Sequence, residues 1–214
     1  MENLHLIAGL GNPGAEYAKT RHNAGYSLVA ELAERWRVDW RNERKFKARV
    51  ARAEIVGRAS SPSTGGTPVP RRVLLCQPQT FMNASGEAVK AVVSFYQLPV
   101  KHVLVAVDDA DLPLGEIRLR PGGRSGGHHG LESVEQHLGT QAFARLRLGI
   151  GRKGGAREIT DYVLDHFAKA EAALMEKVLD RAADQAECWL ADGIGMAMNR
   201  FNGVVDSANK EKKQ

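Results

Sequence analysis

A small set of polar residues stands where an apolar run stops or a helical pattern starts: Asn12, His22, Asn83, Asp108 and the pair His128-His129. Histidine takes a proton from water near neutral pH. An aspartate on its other ring nitrogen would fix the tautomer and favour the imidazolium that forms. Asparagine carboxamides can grip a peptide group, donating to its carbonyl and accepting from its N–H. Together these types are the parts of a hydrolytic site, with His22 as general base and Asp108 as its partner. No serine nucleophile is expected.

The elements that must hold these residues alternate. Leu4–Leu10 (LHLIAGL) reads as a buried strand, and Gly11-Asn12-Pro13-Gly14 as a sharp turn. A helical pattern runs from His22 to Trp36. Phe46–Val56 alternates apolar and basic residues, as a half-exposed strand does. Gly57–Arg72 (GRASSPSTGGTPVPRR) has no apolar period and reads as an insertion loop, placed between hairpin strands. Val73–Cys76 and His102–Val107 read as buried strands, with a helix over Met82–Leu98 between them. Glu116–Arg120 and Leu146–Ile150 are further strands; Leu131–Leu138 and Ala168–Leu190 are helices. The expectation is one α/β domain over residues 1–205. It is a three-layer α/β/α sandwich on a mixed, mostly parallel sheet, followed by a charged tail, 206–214.

Composition limits the partners. The 214 residues carry a net charge of +5 and a pI near 9.3, which fits a polyanionic partner. Cys76 and Cys188 belong to no CxxC pair, so neither a disulfide framework nor a cysteine zinc site is expected. There is no apolar run of membrane-spanning length and no signal-peptide pattern at Met1-Glu2-Asn3, so a soluble, cytosolic protein is expected.

Two other chemistries are weighed against hydrolysis. Gly9-Leu10-Gly11-Asn12-Pro13-Gly14 spells G-x-G-x-x-G after a strand. A dinucleotide site, however, needs a helix opening at the loop and an acid closing a second strand. Here the helical period starts near His22, and Glu31 and Glu34 fall inside the helix. Asp108, Asp109 and Asp111 with His128 could suggest a metal, but Asp109 and Asp111 flank a turn and are expected to cap backbone amides.

Five stretches carry a resemblance: Gly9–Gly25 (GLGNPGAEYAKTRHNAG), Gln77–Val89 (QPQTFMNASGEAV), Asp108–Gly115 (DDADLPLG), Gly126–Leu131 (GGHHGL) and Arg145–Arg152 (RLRLGIGR). They closely resemble bacterial peptidyl-tRNA hydrolases, from the N-terminus to Phe201 apart from the insertion. The resemblance implies a cofactor- and metal-free enzyme, acting as a monomer on the ester between a peptide and the 3′ end of tRNA. It implies that His22 is the base, that Asp108 stabilises its basic form, and that Asn12 separates N-blocked from free aminoacyl-tRNA. Tyr17, Phe81, Met82 and Asn83 match substrate- or tRNA-contacting positions, and Arg118, Arg120 and Arg147 a phosphate clamp. His129 replaces the family's usual asparagine, with a changed rate or pH profile expected. The competing reading is a non-catalytic RNA-binding relative of the same fold.

Overall fold

The computed structural model describes residues 3–55, 70–152 and 159–205. Its strands are β1 (Leu4–Gly9), β2 (Arg41–Glu43), β3 (Ala48–Ile55), β4 (Arg71–Pro78), β5 (Val103–Asp109), β6 (Glu116–Arg120), β7 (Ala144–Gly149) and β8 (Gly203–Val204). The helices are α1 (Ala24–Arg35), α2 (Ser85–Tyr96), α3 (His129–Leu138), α4 (Ile159–Leu164), α5 (Lys169–Asp192) and α6 (Ile194–Phe201).

The strands form one sheet in the order β2-β3-β4-β1-β5-β7-β6-β8. The central strands β4, β1, β5 and β7 run parallel, while β3 and β6 run against them. Alternation along the strands divides the core. Ile7, Leu75, Leu104 and Ala106 face α1 and α5 on one side. Leu6, Ala8, Cys76, Val105 and Val107 face α2 and α3 on the other. This is the three-layer sandwich expected from the sequence.

Some boundaries differ from the sequence reading. β3 and β4 form an antiparallel hairpin with Ile55 opposite Arg71, so Arg71 and Arg72 belong to a strand and not to the insertion. Residues 57–69 of the insertion and the tail, 206–214, lie outside the described residues. Phe46 sits in a 3-10 turn before β3, packed into the core. β2 and β8 went unforeseen: both are short edge strands without an apolar period.

Gly9 and Gly25 explain the glycine-rich turn. A Cβ on Gly9 would lie 2.1 Å from the Gly25 carbonyl oxygen, and one on Gly25 would lie 2.3 Å from that of Ala106. The glycines let the start of α1 press against the ends of β1 and β5. Gly9 thus serves packing, and α1 opens only at Ala24, away from the loop where a dinucleotide site needs its helix.

Candidate active site

Four chain segments meet at the carboxyl ends of the parallel strands, where open α/β sheets place their ligand crevice. The turn after β1 brings Asn12, and the 3-10 turn Arg21–Asn23 brings His22. β5 brings Asp108, and the loop before α3 brings Gly126 to His128, with His129 opening the helix. Gly126 and Gly127 have φ of 66° and 79°, a conformation that favours glycine and lets this loop double back. The His22 turn is held from behind by Arg21. Its buried guanidinium donates to the His166 carbonyl at 2.7 Å and to Glu171 at 2.8 Å, and lies 4.5 Å from the Tyr162 ring.

Asp108 is fully buried and accepts at Oδ1 from Nδ1 of His22 at 2.9 Å. Nε2 of His22 then carries the lone pair, and the ring lines the crevice. His128 donates from Nε2 to the same Oδ1 at 3.1 Å. Burial alone would raise the Asp108 carboxyl, but the charge of His22 and the hydrogen bonds from both imidazoles hold it well below the usual carboxylate range. A nitrogen base backed by a permanent carboxylate is the result.

Asn12 is held from two sides. Its backbone N–H donates to Asn23 Oδ1 at 2.8 Å, and its carbonyl accepts from Asn23 Nδ2 at 3.0 Å. Its own Oδ1 accepts the Met82 N–H at 2.8 Å, which leaves the NH2 as the unspent end. The crevice encloses about 300 Å³ and takes in Asn12, His22, Met82, Asn83, Asp108 and His129. Asn83 stands exposed in the 3-10 turn before α2, not within the helix proper. Phe81 is 60% exposed at the rim, with the Tyr17 ring set edge-on to it. His129 opens α3; its side chain is 77% exposed and lies 3.2 Å from Glu132.

The arginines divide into two kinds. Arg118 and Arg120 share a face of β6, opposite Arg147 and Arg145 of β7, and line a second cavity beside the crevice. Arg120 is exposed, and Arg118 is partly exposed beside Glu116. Arg147 is turned inward: it donates to Asp109 and to the carbonyls of Arg124 and Ser125, each at 2.9 Å. It therefore ties the glycine-rich loop to β5 as well as bordering both cavities.

Several neighbours of the site are not marked by the sequence. His128 stands in the loop as a polar residue and a candidate metal ligand, with nothing to show that it reaches Asp108. Arg145 is buried on Phe143 and paired with Glu135 of α3 at 2.9 Å. The apolar face of α4, with Ile159, Val163 and Leu164, walls the crevice; a helix this short gives almost no periodicity to read. Gly123-Arg124-Ser125-Gly126-Gly127 spells G-x-S-x-G, a serine-nucleophile pattern against the expectation that none is present. Ser125 Oγ, however, contacts Glu132 and the Gly127 N–H, not a histidine, so it is no activated nucleophile.

Ligand atoms of His22, Asp108 and His128 lie within 4.8 Å of one another, close enough to suggest a metal. Yet Nδ1 of His128 accepts the N–H groups of Gly130 and Leu131, so its proton sits on Nε2. A metal there would need that proton moved into two amide hydrogens. The donor set fits an ion poorly.

A histidine tethered to a buried carboxylate, open at its other nitrogen and beside the carboxamides of Asn12 and Asn83, has the groups that a hydrolase on an α/β sheet would use to activate water. Known proteins agree with that class and narrow it. The sequence model of the peptidyl-tRNA hydrolase family matches residues 6–213. A Synechococcus peptidyl-tRNA hydrolase (strain JA-3-3Ab) is 47% identical over 211 residues, covering 99% of this chain and 88% of the relative. One from Geobacillus kaustophilus is 42% identical, covering 93% of this chain and 100% of the relative. The crystal structure of the Acinetobacter baumannii peptidyl-tRNA hydrolase superposes with a TM-score of 0.82 at 36% identity, covering 96% of this chain and 97% of that one. The chain belongs to the peptidyl-tRNA hydrolase family. Among the described residues no helix is long and apolar enough to cross a membrane.

Proposed function

We propose that His22 is the general base with which this enzyme hydrolyses the ester between a peptide and the 3′ end of tRNA. Nε2 takes a proton from water as the water oxygen attacks the ester carbonyl carbon. The tetrahedral intermediate then collapses, the bond to the ribose oxygen breaks, and the imidazolium returns the proton to that oxygen. The products are a peptide acid and tRNA with a free 3′ hydroxyl. Asp108 holds the tautomer and stabilises the imidazolium. The reading needs no cofactor or metal, and a single chain in the cytosol suffices.

The other residues bind. The NH2 of Asn12 donates to the carbonyl of the N-blocked amine, and Asn83 takes the neighbouring peptide groups. A free α-ammonium offers no such acceptor and leaves the donor unpaired, which discriminates strongly. Met82 walls the crevice, and Phe81 with Tyr17 offers a shelf for the end of the tRNA. His129 supplies one donor or acceptor at the mouth, where the family's usual asparagine would stand. Arg118 and Arg120 take acceptor-arm phosphates, with Arg147 shaping the loop beside them.

The observation that carries this reading is the 2.9 Å contact between His22 Nδ1 and buried Asp108. Asp108→Asn tests it, because the amide oxygen still accepts from both imidazoles while the charge is lost. With diacetyl-lysyl-tRNA as substrate, kcat is expected to fall about 100-fold with little change in KM. Normal turnover by that variant contradicts the mechanism. A wild-type protein that binds but never hydrolyses this substrate would be the non-catalytic RNA-binding relative instead.

A further inference from the structure

Asp108 does not serve His22 alone. Both histidines converge on one carboxylate oxygen, with their rings 5.2 Å apart. The two are not equivalent. Nδ1 of His128 accepts the N–H of Gly130 at 3.1 Å and of Leu131 at 3.3 Å, in the first turn of α3. Those donors require a lone pair on Nδ1, so the neutral ring carries its proton on Nε2, facing Asp108. A second proton on Nδ1 would meet two amide hydrogens at the positive end of the helix. His128 is thereby oriented as an Nε2–H donor to Asp108, while Nε2 of His22 faces the crevice.

We propose that His128 is a positioning residue: it fixes the Asp108 carboxylate and draws off charge that would otherwise support the His22 imidazolium, so setting the pH at which His22 becomes an active base. The inference rests on His22 being the base. Other ionisable groups face the pair as well. From the end of β5 comes Asp109, paired with Arg147 of β7, and from the turn after it Asp111; from α3 comes His129, beside Glu132. The crevice-lining residues of α4 carry no ionisable group. None of these groups is a hydrogen-bond partner of the His128 ring.

Two substitutions separate the roles of the ring. His128→Asn keeps an oxygen for the helix N-terminus, where asparagine is favoured, but its amide is too short to reach Asp108. His128→Gln places an amide nitrogen near the original Nε2 and gives up the cap. In His128→Asn the acidic limb of the kcat/KM–pH profile is expected to move up by about half a pH unit or more, with Tm close to wild type. The NMR titration of His22 should move the same way. In His128→Gln the limb stays in place and Tm falls. An unmoved limb in His128→Asn, or equal movement in both variants, overturns the proposal. His22→Asn assayed alongside keeps the two readings apart. If it is dead while the His128→Asn limb is unmoved, only this inference falls; if it is active, the base assignment falls and takes this inference with it.

Discussion

The side-chain oxygen of Asn12 accepts the backbone N–H of Met82 at 2.8 Å, so the carboxamide that follows β1 is fixed in one orientation with only its NH2 unspent. The contact joins the turn after β1 to the turn before α2 across the floor of the crevice. It also sharpens what Asn12 can recognise. Its NH2 is placed to donate to a carbonyl, while its Oδ1 is already engaged by the Met82 N–H.

Asn12→Asp follows directly from that orientation. One carboxylate oxygen keeps the Met82 N–H, and the other replaces a donor with a negative acceptor. For N-acetylaminoacyl-tRNA, kcat/KM is expected to drop about 10- to 100-fold, as for loss of one substrate hydrogen bond. The free aminoacyl ester, with its ammonium, should lose less, so the ratio between the two substrates narrows. An unchanged ratio contradicts the assignment.

Arg120 and Arg147 should part company experimentally. Arg120 is exposed and available to phosphate; Arg147 holds the loop carbonyls of Arg124 and Ser125. Arg120→Ala should raise KM for tRNA substrates and lower the salt dependence by up to about one unit of log–log slope, with Tm unchanged. Arg147→Ala leaves two carbonyls and Asp109 short of a donor, and should cost about 1–3 kcal/mol of stability as well as activity. Salt-dependent kinetics with thermal melts of both variants decide this. Identical behaviour of the two counts against it.

His5 makes the fold acid-sensitive far from the crevice. Its ring on β1 is buried, stacked 4.4 Å from His102 and edge-on to Trp189. Burial, with His102 and Arg71 nearby, lowers its pKa from 6.5 to about 4. The unfolded chain takes up a proton below pH 6.5, and the folded chain does not until about pH 4. Stability from this group is fully present above pH 6.5 and is lost as pH falls through that window, by up to about 3 kcal/mol. His5→Phe keeps a packed ring without the proton. Urea midpoints at pH 7.5 and pH 5 should fall less in the variant than in wild type; an equal fall contradicts the prediction.

The sheet could be read because its core strands carry strong periods. LHLIAGL and HVLVAV leave few alternatives, and the polar residues at their ends mark the crevice. Elements without a period escaped: β2 is the polar triplet Arg41–Glu43 and β8 the pair Gly203–Val204. The chain from Glu158 onward does read as mostly helical, but the place of α4 against the crevice shows only in contact. Residue types named Asn12, His22 and Asp108, but no spacing between them says that they touch. Nor could type alone tell the inward Arg147 from the outward Arg120, since both alternate on short strands. His128 was hidden by its neighbour: two adjacent histidines read alike until one is found capping a helix and the other standing in the open.

The central claim is that Nε2 of His22 removes the proton from water. His22→Asn is the variant to measure, because it keeps a polar side chain of similar reach in the turn and removes the titrating nitrogen. Single-turnover hydrolysis of diacetyl-lysyl-tRNA should slow by about 100-fold or more, while binding of uncharged tRNA and Tm stay near wild type. Hydrolysis at the wild-type rate with the variant folded and bound would contradict the account.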